Sequence, residues 1–108
     1  MPGYLMIESR DPFDSGDSAA FLALAEDLAK AGNKVTLFLV QNGVLPARHG
    51  ARSGTLAALA VNGVDVLADS LSLAERGISP DRLVPGIKAA ALDVAVDQLA
   101  DGCKALWH

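Results

Sequence analysis

Val35, Thr36, Leu37, Phe38, Leu39 and Val40 form a run with no charge and almost no polar interruption. A strand with one wet face alternates polar and apolar residues, so a run this continuous belongs to a strand covered on both faces, hence parallel and central. A parallel neighbour needs a crossover, and the preceding residues supply one. Tyr4 to Ile7 is a short apolar run that reads as a first strand. The loop ESRDPFDSGD follows, with Asp17 or Ser15 as a helix cap, and then Phe21, Leu24, Ala25 and Leu28 fall at helical spacing on one face. Gly32 stands where a helix ends in the left-handed conformation. Strand, helix and buried strand within about 40 residues make a right-handed βαβ unit.

Beyond this unit, QNGV at Gln41 to Val44 reads as a turn, Leu45 to Gly54 as a polar loop, and Thr55 to Val61 as a helix closed by Asn62 and Gly63. The stretch GVDVLADSLSLAERG, Gly63 to Gly77, then gives a buried strand from Val64 to Ala68 that delivers Asp69 to the start of a short helix. In open α/β sheets the crevice at the carboxyl ends of the strands is where ligands bind, so this corner is the first place to look for function. Ser79, Pro80 and Asp81 signal one more helical turn, reaching Leu83. In Val84 to Lys88 the pair Pro85 and Gly86 weakens a strand and leaves at most a short edge pairing at Ile87 and Lys88. Ala90 to Ala100 reads as a helix with Leu92, Ala95, Val96 and Leu99 on one face, and Cys103 to Trp107 as a last strand. The expected fold is α/β: a three-layer α/β/α sandwich around a mostly parallel five-stranded sheet, in a single domain spanning residues 1–108.

Composition narrows the functional classes. With 51% hydrophobic and 20% charged residues, the chain carries more apolar surface than a monomer needs, which points to an oligomer. A net charge of −4 argues against a nucleic-acid partner, Arg48, His49 and Arg52 being the one basic cluster. No apolar run is long enough to cross a bilayer, and Met1 is followed by a strand rather than a basic leader, so the expected location is the cytoplasm. The single cysteine, Cys103, rules out an internal disulfide and a CxxC pair. Neither cofactor nor metal is expected: Ser15, Gly16 and Asp17 lack the dinucleotide fingerprint, and neither His49 nor His108 has clustered carboxylates beside it in the sequence.

The GV strand, the short helix ending in Arg76 and Gly77, the SPDRL turn, the PGI segment at Pro85 to Ile87, the amphipathic helix and the terminal strand follow one another in an order that, with QNGV, resembles the DsrE/DsrF/DsrH-like sulfur-relay family. That family includes the subunits of the bacterial TusBCD complex. The resemblance implies a cysteine at the end of the third strand that accepts sulfur as a persulfide, sometimes with a second cysteine three residues later. Counting from GV to RG places these at Asp69 and Ser72. A carboxylate or a hydroxyl does not carry sulfane sulfur, whereas a thiol at a helix N-terminus is activated toward it. The resemblance therefore implies an atypical, non-catalytic subunit, partnered by copies of itself or by cysteine-bearing family members.

On the residues themselves, Asp69 is a helix cap or a ligand-facing acid, and Ser72 a solvated polar residue or its neighbour in the site. Asn42, Arg10 and Asp11 are candidates for lining the same crevice. Cys103 is a buried small hydrophobe or, in an alternative reading, the thiol of a sulfurtransferase or redox enzyme. A second alternative is a receiver-like signalling domain, with Asp69 as phosphate acceptor, Glu8 or Asp11 as its acids and Lys104 as its lysine. Trp107 reads as a core or interface aromatic.

Overall fold

The computed structural model describes residues 3–11, 16–48 and 54–108. Five strands, β1 (Tyr4–Glu8), β2 (Val35–Leu39), β3 (Asp65–Asp69), β4 (Ile87–Ala90) and β5 (Lys104–Trp107), form one sheet in the order β4-β3-β2-β1-β5. All four pairings are parallel. The helices are α1 (Asp17–Lys30), α2 (Gly54–Val61), α3 (Ser70–Glu75) and α4 (Asp93–Ala100), and 3-10 turns occupy Gln41–Ala47 and Pro80–Arg82. Every residue of β2 is buried, as a central parallel strand requires.

The strand order explains the layering. From β1 to β2, β3 and β4 the chain steps one strand at a time toward the same edge, so right-handed crossovers place their helices on one face. On that face Met6, Leu37, Leu39 and Val66 pack with Leu22 and Ala25 of α1, Leu56 and Leu59 of α2, and Leu73 of α3. The connection from β4 back to β5 crosses the other face and contributes only α4. There Leu5, Phe38 and Leu67 meet Ala95, with Ile7, Val40, Val94 and Cys103 half-buried around them. An eight-residue helix is about 12 Å long, whereas five strands at about 4.8 Å spacing span about 19 Å. Part of this second face therefore stays uncovered.

Several sequence expectations need correction. On α1 the buried residues include Leu22 and Ala25, while Leu24 is exposed. The residue ahead of α1 is Gly16, and among the described residues no side chain caps the helix; Ser15 lies outside them. Residues 90–92 do not begin α4: Ala90 closes β4, which is an edge strand pairing through Val66↔Ile87 to Asp69↔Ala90. Cys103 precedes β5 rather than starting it, and its amide donates to the Gln98 carbonyl at 3.1 Å to close α4. The expected face of Leu92, Ala95, Val96 and Leu99 is split: Ala95 is buried, whereas Leu92, Val96 and Leu99 face outward, at 56%, 58% and 48% exposure. The side facing the sheet is Val94, Ala95 and Gln98, whose Nε2 donates to Thr36 Oγ1 at 2.9 Å.

Candidate functional site

Alternation along the strands puts Leu67 and Asp69 on the α4 face, opposite Val66 and Ala68. Asp69 is the last residue of β3 and, with extended backbone, the N-cap of α3. Its Oδ2 accepts from the Ser72 amide at 3.1 Å and from Ser72 Oγ at 2.7 Å. Asp69 is 9% exposed and Ser72 is buried. The Ser72 hydroxyl in turn accepts from the Gln41 amide at 2.8 Å, so its proton and a lone pair are both committed. Gln41 has φ 51, the left-handed region that a non-glycine residue adopts at a cost and that clusters at ligand sites.

The segment after β2 is held close to β1. A Cβ on Gly43 would collide with the Glu8 carbonyl oxygen, so only glycine fits there. The Gly43 amide donates to the Val40 carbonyl at 2.9 Å. Arg76 ties the turn to α3: its Nε donates to Asn42 Oδ1 at 3.2 Å and its Nη1 to the Ser72 carbonyl at 3.2 Å. Gly77, at φ 66, ends this helical segment as the sequence predicts. Asp69, Ser72 and Asn42 thus belong to one hydrogen-bonded corner.

That corner borders a groove of about 290 Å³ on the uncovered part of the α4 face. Ile7, Phe38, Val40, Leu71, Leu92 and Trp107 supply its apolar walls, and Asp69, Ser72, Gln41 and Glu75 its polar end. Trp107 is on this face because it pairs with Ile7 across β1 and β5, and it is 71% exposed. Sequence reasoning missed Leu71, Glu75 and Trp107 as lining residues. The signal available for Trp107 was its register with Ile7 on an edge strand.

Arg10 and Asp11 follow β1 at the carboxyl end of the sheet but do not line the groove. The Arg10 amide donates to Glu8 Oε1 at 2.9 Å, on the α1 side. The rest of that loop, residues 12–15, lies outside the described residues, as do His49 and Arg52 of the basic cluster. Cys103 is not in the groove. It precedes Lys104, which pairs with Tyr4 at the amino end of the sheet, about 13 Å along the strand from Trp107 at about 3.3 Å per residue. It follows the C-terminus of α4, and its amide serves to close that helix.

The receiver-like arrangement does not form. Lys104 begins β5, at the opposite end from Asp69, and the sheet order is not the 2-1-3-4-5 of receiver domains. Glu8 lies on the other face, where both carboxylate oxygens stand 3.0 Å from Nδ1 of His108, whose ring stacks on Phe21 at 5.4 Å. His108 therefore has one carboxylate beside it, brought there from 100 positions away. Among the described residues no three His, Cys, Asp or Glu side chains gather as a metal-binding group, and no helix is long and apolar enough to cross a membrane.

An all-parallel α/β sheet with a groove at the carboxyl end of its third strand defines the class. The model of the DsrE/DsrF-like family matches residues 3–107, and the chain belongs to that family. It is similar in fold to the crystal structure of the YchN protein from E. coli, at 22% identity and TM-score 0.89 over 100% of both chains. A second similar structure is the protein of unknown function MTH1491 from Methanobacterium thermoautotrophicum, at 19% identity and TM-score 0.81 over 97% of this chain and 96% of that one. No curated protein matches the chain.

Proposed function

We propose that the chain is a non-catalytic binding subunit of an oligomeric assembly associated with intracellular sulfur transfer. The observation that carries this reading is the chemistry of position 69. The family resemblance implies a sulfur-accepting cysteine there, and this chain has a carboxylate whose Oδ2 is engaged by Ser72. The remaining thiol, Cys103, stands at the opposite end of the sheet and bears no relation to the groove. Val96 and Leu99, exposed on α4 and outside the groove lining, support the oligomeric part, because exposed apolar surface of this kind marks association sites. The partners on this reading are further copies of the chain or family members that do carry the cysteine.

Treatment with a persulfide donor followed by intact-mass measurement tests the reading. The expected result is an unmodified chain; stoichiometric sulfur on Cys103 refutes it and revives the sulfurtransferase alternative.

A further inference from the structure

We propose that the Asp69 groove binds a small molecule built from a flat apolar body and one cationic nitrogen, an arylalkylammonium being the simplest example. This rests on the reading above that the crevice at position 69 is the chain's binding site, and it names what that site takes.

Charge selects the sign of the ligand. Asp69 and Glu75 both line the groove, and among the described residues no lysine, arginine or histidine does. The two ion pairs among the described residues, Lys30 with Glu26 and His108 with Glu8, leave both of these carboxylates without a cationic partner. Arg76, the nearest basic residue in the hydrogen-bonded corner, is turned to Asn42 and the Ser72 carbonyl instead. An anion would meet two like charges here.

Hydrogen bonding selects the head group. Both protein bonds to Asp69 go to Oδ2. Among the described residues Oδ1 accepts none, and it belongs to a side chain that lines the groove. A carboxylate nine-tenths buried beside apolar walls is costly to cover with a neutral apolar ligand, because Oδ1 then loses its water and gains nothing. An ammonium group supplies the missing donor and the missing charge together.

The walls select the body. Ile7, Phe38, Val40, Leu71 and Leu92 line the groove with apolar side chains, and Trp107, 71% exposed, is available to an aromatic ring or to the cation itself. A volume of about 290 Å³ is at the small end of ligand sites, which fits a single-ring amine and not a nucleotide.

Trp107 is the chain's one tryptophan, so its fluorescence reports occupancy at the site itself. Titration of the full chain with 2-phenylethylammonium, 2-phenylethanol and phenylacetate compares one body with three charges. The expected order is ammonium, alcohol, acid, with the ammonium roughly tenfold or more tighter than the alcohol, the range of a charge-assisted hydrogen bond. Asp69→Asn, which keeps an acceptor for the Ser72 amide, is expected to abolish that preference while the far-ultraviolet circular dichroism stays unchanged. Equal binding of ammonium and alcohol, no response to any of the three, or a preference that survives Asp69→Asn overturns the proposal. Because the comparison of ligands on the unaltered chain needs no variant, a misfolded Asp69→Asn protein still leaves a decisive result. Sulfur loading on Cys103 defeats the functional reading without moving this titration, and a flat titration on a chain that takes up no sulfur defeats the ligand assignment alone.

Discussion

The two faces of the sheet are built from the same alternating strands and finished very differently. One is roofed by α1, α2 and Leu73 of α3 over a continuous aliphatic core. The other has a single short helix over Leu5, Phe38 and Leu67, leaves Trp107 and Leu71 exposed, and turns the most apolar stripe of that helix toward solvent. The cause is topological. Three crossovers step in one direction and must share a face, while one crossover returns. The larger buried cluster lies on the first face, and the second keeps more apolar surface exposed.

That division can be broken by substitutions on each side. Leu37→Ala, fully buried on the roofed face, is expected to cost about 2–5 kcal/mol in chemical denaturation; a loss below about 1 kcal/mol contradicts the assignment of the main core. Asp69→Ala removes the α3 cap and leaves the Ser72 proton without its acceptor, for an expected loss of about 1–2 kcal/mol by the same measurement. The smallest effect on folding belongs to the double variant Val96→Ser with Leu99→Ser. Both side chains are exposed, so the isolated monomer is expected to change by no more than about 0.5 kcal/mol, while light scattering shows a shift toward smaller species. A large loss of monomer stability with no change in mass sharpens the comparison the other way, by making α4 a core helix after all.

The strands were legible wherever burial on both faces suppressed alternation. Val35 to Val40 announced a central strand, and Val64 to Ala68 announced its neighbour, one residue out of step with Asp65–Asp69. The edge pairing of β4 was readable at Ile87 and Lys88, although its extension to Ala90 was hidden in an alanine run that suits a helix equally well. Periodicity grouped Leu92, Ala95, Val96 and Leu99 on one face, but only Ala95 is buried against the sheet and the other three face outward, because apolar spacing alone does not say which side of a helix meets the core. The same limit put Leu24 inside on α1. Within the corner, Asp69 was readable as a cap from its place before a short helix. Its link to Gln41 through Ser72, and the pairing of Glu8 with His108 across 100 positions, depend on strand register and leave no local trace.

Ser72 joins two segments 31 positions apart, giving its proton to Asp69 and receiving the amide of a residue in left-handed backbone. Position 69 is consequently not an interchangeable socket. A cysteine there would offer the hydroxyl only a weak sulfur acceptor in place of a carboxylate oxygen, so a change at position 69 is felt through Ser72 at Gln41, in a different segment of the chain.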